Sequence, residues 1–242
     1  MHTLCIDIGN TLVKAGLFEQ ERMLQFWKVD DISQLNTQLN SEEVDRVIVA
    51  DVRKLGSTFL QNQFRNKLIN LSYRTPLPFQ VKYSTPETLG VDRIALVAGA
   101  QSRFPNQNVL VLDAGTCLTY DFLDAEGQYH GGAISPGLKM RFRALHEFTA
   151  ALPHLDWNGG EVKLVGNSTQ ESIFSGIVLG TRHEVLQTVV SYVQQFENLK
   201  VLVSGGDINL FEGLIKNDIF AVPNLLLEGL NQIAIYNENF LS

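Results

Sequence analysis

Two stretches decide how this chain is read: C-I-D-I-G-N-T-L at residues 5–12 and L-D-A-G-T-C-L at residues 112–118. Each leaves an apolar run through an Asp, a Gly and a Thr and passes into a second strand-like segment. Such a loop suits a phosphate. Glycine lets the backbone approach an anion with its N–H groups, and the Thr hydroxyl adds a donor. The Asp repels phosphate, so its place is beside a cation or a water. Asp-x-Gly is also an ordinary hairpin signature. Two copies at matching places in two halves argue for more than a hairpin: a nucleotide gripped between two related domains.

The pattern around them repeats. Residues 3–8, 11–18 and 23–29 read as three strands. A short helix at 31–39, a strand at 44–50, a helix at 57–69, a short strand at 79–83 and an Ala-rich helix at 90–103 follow. The polar segment F-P-N-Q-N at 104–108 is the expected boundary, dividing the chain into 1–106 and 107–242. The second half restarts with strands at 109–113, 117–123 and 129–134, then a helix at 137–148. A long helix at 168–195, weakened by Gly176 and Gly180, precedes a strand at 200–204 and helices at 210–215 and 225–240. The alternation predicts an α/β architecture with mixed sheets.

Composition narrows the function. The 242 residues carry a net charge of −7, with a pI near 5.2. That argues against non-specific binding to nucleic acid or to an anionic membrane. The expectation is no signal peptide and no apolar stretch long enough to cross a bilayer. The two cysteines, Cys5 and Cys117, are expected as free thiols in a reducing cytoplasm. The five histidines form no metal-ligand spacing, and there is neither a G-x-x-x-x-G-K-[ST] loop nor a protein-kinase signature.

Five segments together resemble a known family. D-I-G-N-T-L-V-K at 7–14, Y-S-T-P-E-T-L-G-V-D-R at 83–93, D-A-G-T at 113–116, G-G-A-I-S-P-G at 131–137 and S-G-G at 204–206 are similar to type III pantothenate kinases. Matches run in order over almost the whole chain, and the G-x-D-R element with its upstream Tyr and Pro is the most specific. The resemblance implies the actin-like ATPase (ribonuclease H-like) fold: two related domains, each a mixed sheet flanked by helices, with the nucleotide cleft between them. It implies ATP-dependent phosphorylation of pantothenate to 4′-phosphopantothenate, the first step of coenzyme A biosynthesis. A kinase of the same fold with another substrate, or a non-enzymatic ATP-binding regulator, are the alternatives; the second would predict damage at Asp92, Arg93 or Asp113, and all three are intact.

Roles carry over by resemblance. Asp92 is the catalytic residue that takes the hydroxyl proton. Tyr83, Gly90, Val91, Asp92, Arg93 and Thr169 bind pantothenate. Asp7, Ile8, Gly9, Asn10, Thr11, Leu12, Val13 and Lys14 form the first ATP loop, with Thr116, Gly205 and Gly206 as further ATP contacts. Asp113 is the monovalent-cation ligand, for K+ or NH4+, and Asp7 is placed at Mg2+, directly or through water. A homodimer is implied, with the 137–148 helix at its interface.

Several positions keep a plainer reading. Lys14 is equally a solvated lysine. Thr169 sits in N-S-T before a helix and is equally an N-cap, with Glu171 nearby to complete it. Asp92-Arg93 suits a helix start. Gly205-Gly206 suits a tight turn. Asp121 is expected at a strand end facing water. Lys139, Arg141, Arg143 and His146 give the 137–148 helix a basic face, expected to be solvated or at a dimer surface.

Overall fold

The computed structural model describes residues 1–37, 44–53, 57–64, 66–211 and 219–241. In chain order the strands and helices are β1 (His2–Ile8), β2 (Val13–Glu19), β3 (Arg22–Val29), β4 (Arg46–Asp51), α1 (Ser57–Phe64), β5 (Leu68–Asn70), β6 (Gln80–Val81) and α2 (Val91–Arg103). Then come β7 (Val109–Ala114), β8 (Cys117–Leu123), β9 (Gln128–Pro136), α3 (Leu138–Glu147), α4 (Thr169–Phe174), α5 (Gly180–Gln195), β10 (Lys200–Ser204), β11 (Ile219–Ala221) and α6 (Leu225–Leu241).

The contacts divide the chain into two compact units. The first holds residues 1–106, 123–131 and 224–242; the second holds 107–122 and 132–223. A single cut at 106/107 therefore misses two returns of the chain to the first unit. The larger return is α6. Its apolar residues Leu227, Leu230 and Ile233 share a core with Ile94 and Val97 of α2 and with Cys5 and Ile48. Arg46 donates to the Ala234 carbonyl at 2.6 Å and to Glu238 at 2.7 Å, which ties α6 to β4.

The first unit is built on a sheet of order β3-β2-β1-β4-β5. β1 pairs antiparallel with β2 and parallel with β4, and β4 pairs parallel with β5. Alternation along β1 sends Leu4, Ile6 and Ile8 into a core with Val47, Val49 and Leu60, and Cys5 into the core beneath α2 and α6. A strand covered on both faces reads as a continuous apolar run, which is what makes 3–8 legible. The helix expected at 57–69 ends at Phe64, and Leu68 and Ile69 pair beside Val47 and Ile48 as β5. Sheet pairing overrides their helical spacing. The expected helix at 31–39 is a 3-10 turn over Ile32–Thr37, held by the Asp31 carboxylate on the Ser33 N–H at 2.8 Å; residues 38 and 39 lie outside the described residues.

In the second unit the order is β11-β10-β7-β8-β9, with β10 parallel to both β7 and β11. Read from the third strand of each half, β9-β8-β7-β10-β11 repeats β3-β2-β1-β4-β5. The short strand β6 extends the first residues of β9, pairing Val81 with Tyr129. Leu110, Leu112, Leu118 and Tyr120 pack against Phe142, Ile177, Val185 and Val189. The helix expected over 168–195 does not break at its glycines. It passes through a π-helical turn, Ser175–Leu179, between α4 and α5, with Gly176 inside the wide turn. The helix expected at 210–215 is a 3-10 turn over Ile208–Phe211, and residues 212–215 lie outside the described residues. Cys5 is buried and Cys117 half-buried; both are free, and burial pushes the Cys5 thiol well up.

Candidate functional site

The first Asp-Gly loop joins β1 to β2. Asp7 ends a buried run and is itself 7 % exposed. The antiparallel register sets Lys14 directly opposite Asp7, so the two share one face of the sheet at cross-strand spacing. The Gly9 N–H donates to the Leu12 carbonyl at 3.1 Å, which closes the turn. That N–H is therefore spent inside the loop. Asn10 and Thr11 form the exposed tip. A Cβ on Gly9 would lie 4.0 Å from both Asp7 carboxylate oxygens, so the bare glycine keeps the approach to that carboxylate open.

The second loop is tighter. The Gly115 N–H donates to the Cys117 carbonyl at 2.9 Å. A Cβ on Gly115 would lie 3.5 Å from Asp113 Oδ2. β10 sets Ser204 beside Asp113 in parallel register. Gly205 follows at φ +100°, against the Ala114 backbone, and the Asp207 N–H donates to the Ala114 carbonyl at 2.9 Å. The Thr116 carbonyl accepts from the Gly137 N–H at 3.1 Å. Asp113, Thr116, Gly205 and Gly206 thus gather at the C-terminal ends of β7 and β10. Burial raises the Asp207 carboxyl, against the pull of Lys139.

Each loop sets a bare glycine against one carboxylate. Among the described residues no three His, Cys, Asp or Glu side chains gather as a metal cluster. One carboxylate per loop fits a cation completed by phosphate oxygens and water, not one caged by protein.

A third group lies in the first unit. Gly90 caps α2, and the Ile94 N–H donates to its carbonyl at 3.2 Å. Asp92 sits in the first turn, with Oδ1 accepting the Arg93 N–H at 2.9 Å. A side chain on Gly90 would run into that oxygen. Asp92 turns to the helix N-terminus, and the buried Arg93 guanidinium lies 5.8 Å from the Tyr83 ring centroid. Gly131, at φ +91°, lies against the same ring, where a Cβ would come within 2.8 Å. The sequence shows Gly131 only as part of a glycine-rich phrase; its role as the bed for Tyr83 needs the pairing of β6 with β9 to be seen. Val91 opens α2 beside this group.

Thr169 belongs to the second unit. Ser168 takes the cap, its Oγ accepting the Glu171 N–H at 3.2 Å, while Glu171 accepts from the Asn167 N–H at 3.0 Å. Thr169 is the first residue of α4 and lines an open groove of about 1080 Å³ between α3, α4 and the π turn. Arg141 lines it too. The basic face expected on the 137–148 helix is accordingly not continuous: Arg141 pairs with Glu184 at 2.6 Å, and Arg143 with Glu147 at 2.5 Å. Asp121 is a further correction. It lies mid-strand in β8 and is fully buried, accepting from Thr119 at 3.3 Å, because the sheet is covered on that face.

A family model for type III pantothenate kinases matches residues 3–191. A type III pantothenate kinase of Christiangramia forsetii is 44 % identical over 241 residues, covering 97 % of this chain and 98 % of the relative. The chain belongs to the type III pantothenate kinase family. A second member, from Bacteroides fragilis, is 41 % identical over 238 residues, covering 97 % of this chain and 98 % of its own. Solved structures are more distant and speak to fold alone. A Campylobacter jejuni structure assigned to the Baf family of transcriptional activators superposes with a TM-score of 0.67 at 21 % identity, over 98 % of this chain and 99 % of that one. A ROK family protein of Streptococcus pneumoniae gives 0.54 at 12 % identity, over 99 % and 100 %. The pantothenate kinase family and this sugar-kinase-like fold agree with the doubled sheet order seen here. No helix among the described residues is long and apolar enough to cross a membrane.

Proposed function

We propose that this chain transfers the γ-phosphoryl group of ATP to the terminal hydroxyl of pantothenate, giving 4′-phosphopantothenate and opening coenzyme A biosynthesis. The observation that carries this is 44 % identity to a type III pantothenate kinase over 97 % of the chain. The intact Tyr83–Arg93 phrase, folded as one cluster, supports it.

The chemistry follows from the side chains. Phosphoryl transfer asks chiefly for positioning and charge stabilisation. Asp92 orients the attacking hydroxyl and takes its proton as the P–O bond forms. Its Oδ1 is fixed by the Arg93 N–H, which leaves Oδ2 to face the alcohol. Tyr83, Gly90, Val91 and Arg93 bind pantothenate, and Thr169 contributes a hydroxyl from its groove. Asn10 and Thr11 at the exposed tip, with the backbone of Ile8, Leu12 and Val13, hold the ATP phosphates; Lys14 adds charge next to Asp7. Thr116, Gly205 and Gly206 receive the nucleotide. Mg2+ at Asp7 and K+ or NH4+ at Asp113 would supply positive charge to the phosphates. The protein works as a cytoplasmic homodimer in this reading, with small molecules and not nucleic acid or membrane as its partners.

The test is coupled ADP release from purified protein with ATP, Mg2+ and K+, with and without pantothenate. ADP formed only with pantothenate is the expected result. Asp92→Asn is then expected to lower kcat by about 10²–10⁴-fold, the usual contribution of a general base, while ATP affinity stays within a few-fold. Near-normal turnover of that variant would remove Asp92 from the role.

A further inference from the structure

We infer that the Asp124–His130 pair in the β8–β9 turn is a positioning device for the reaction: it sets the seat of Tyr83, and through Tyr83 the surface on which Arg93 rests, without touching substrate. This rests on the pantothenate reading, in which Tyr83 and Arg93 bind the substrate, and deepens it by naming what holds them in place.

Every link lies in the first unit, which includes residues 1–106 and 123–131. Tyr83 follows β6, a strand of 2 residues, too short to hold itself. β6 hangs on the turn. The Gln80 N–H donates to the Gly127 carbonyl at 2.9 Å, and the Lys82 N–H to the Tyr129 carbonyl at 2.8 Å. The next residue on each side makes the seat: the Tyr83 ring lies against Gly131, where a Cβ would come within 2.8 Å. The Arg93 guanidinium carbon lies 5.8 Å from the centroid of the same ring. A shift of residues 127–131 therefore moves Tyr83 directly, and Arg93 with it.

The pair fixes those residues. Asp124 Oδ1 accepts the Glu126 and Gln128 N–H groups at 3.0 and 2.8 Å, and Oδ2 lies 2.6 Å from His130 Nε2. One carboxylate thus ties down positions 126, 128 and 130, which alternate with the 127, 129 and 131 that carry Gln80, Lys82 and Tyr83. Burial raises the Asp124 carboxyl, but His130 and the backbone donors hold it below the ordinary 3.8. It is therefore ionised near neutrality and can only accept, so His130 Nε2 carries the proton. The contact is a charge-assisted hydrogen bond, short and directional. Tyr129 is fully buried and meets Phe79 edge-on, with ring centroids 6.1 Å apart, so packing anchors it. The His130 side chain beside it is 45 % exposed; packing does not fix it, and the bond to Asp124 does.

The experiment measures steady-state rates of the full-length protein, with pantothenate and ATP varied in turn. His130→Leu removes the donor. It is expected to raise KM for pantothenate about three- to ten-fold, the range set by the net worth of one hydrogen bond. Asp92 takes its own bond from the Arg93 backbone N–H, so kcat is expected to stay within about two-fold, as is KM for ATP. His130→Gln can bring an N–H to the same carboxylate and is expected to restore KM to near wild type. In a Tyr83→Leu background, where the ring is gone, His130→Leu is expected to raise KM no further. Hydrogen exchange at the Gln80 and Lys82 amides gives a readout independent of turnover: faster in His130→Leu, near wild type in His130→Gln. An unchanged KM in His130→Leu, a rise that is equal with and without the Tyr83 ring, or equal losses in kcat and in both KM values overturns the inference. A wild-type protein that makes no pantothenate-dependent ADP refutes the pantothenate reading and this inference with it, whereas normal wild-type turnover with an unmoved KM in His130→Leu refutes this inference alone.

Discussion

The two Asp-Gly hairpins sit at the same place in two sheets of the same strand order, yet they are held in opposite ways. The first is closed by its own bond from the Gly9 N–H to Leu12, with the Val52 N–H on the Ile8 carbonyl at 3.2 Å at its base, and its tip is exposed. The second is gripped from outside, by Gly205 against Ala114, by Asp207 on the Ala114 carbonyl and by Gly137 on Thr116. One sequence phrase therefore serves two mechanical purposes. An open, polar tip can adjust to phosphates that change shape during transfer. A clamped loop keeps Asp113 in a fixed place. The glycine of each loop spends its N–H on the turn, so the donors a phosphate can use come from the residues after it.

Between the two loops, the largest expected effect exploits that contrast. Alanine at Gly9 meets only the Leu12 carbonyl at 3.3 Å, so the fold should survive. The new methyl lies over Asp7, and small misplacements of reacting groups can cost about 10²-fold in rate. Gly9→Ala is therefore expected to melt near wild type and to lose about that much turnover. Gly205→Ala is expected to do the reverse in kind. At φ +100° against the Ala114 backbone it carries both strain and overlap, together roughly 2–5 kcal/mol. Its Tm should drop by roughly 4–20 °C. Thermal melts and steady-state rates on both variants decide it; a heat-labile Gly9→Ala or a fully stable Gly205→Ala would erase the distinction between the loops.

A smaller effect separates the two carboxylates. With K+ or NH4+ replaced by Na+, turnover is expected to fall about ten-fold, ~1.4 kcal/mol of transition-state stabilisation. Asp113→Asn should abolish that salt preference. Asp7→Asn should slow the reaction in every salt and leave the preference in place. Equal rates in all three salts would take the monovalent cation away from the second loop.

How far the sequence could be read depended on the range of the forces involved. Residues 117–123 and 200–204 match β8 and β10 end for end, because buried strands bounded by turns declare themselves locally. Leu68 and Ile69 were legible only as a continuation of helical spacing, since β4, their partner, is twenty residues away. β11, three residues long, gave no periodic signal at all. The membership of α6 in the first unit, the burial of Asp121 and the seat of Tyr83 on Gly131 are set by contacts between distant segments. The family phrases named Asp92, Asp113 and Thr169 as candidates but gave no sign of the bond from Arg141 to Glu184, forty-three residues later. Ranking it with the solvated basic residues followed from charge alone.

The smallest effect tests the second turn of each half-sheet, where the two hairpins again solve one problem differently. The β2–β3 turn puts Gln20 at φ +53° and holds its carbonyl with Asn231 Nδ2 at 2.7 Å. The β8–β9 turn uses Gly127 at φ +73° and braces it with a carboxylate: Asp124 Oδ1 accepts the N–H groups of Glu126 at 3.0 Å and Gln128 at 2.8 Å, and Oδ2 lies 2.6 Å from His130 Nε2. Burial raises the Asp124 carboxyl, but His130 and the two backbone donors outweigh it, and the net pKa lies below the ordinary 3.8. A carboxyl whose folded value is depressed adds stability above its unfolded value and surrenders it as pH falls through the folded one. The brace is thus fully present near neutrality and is lost in acid, below about pH 4. Asp124→Asn should lower Tm modestly at pH 6, and the gap to wild type should close as melts are taken down towards pH 2.5. A gap that stays constant over that range would mean that the β8–β9 turn is held by shape, as the β2–β3 turn is, and not by charge.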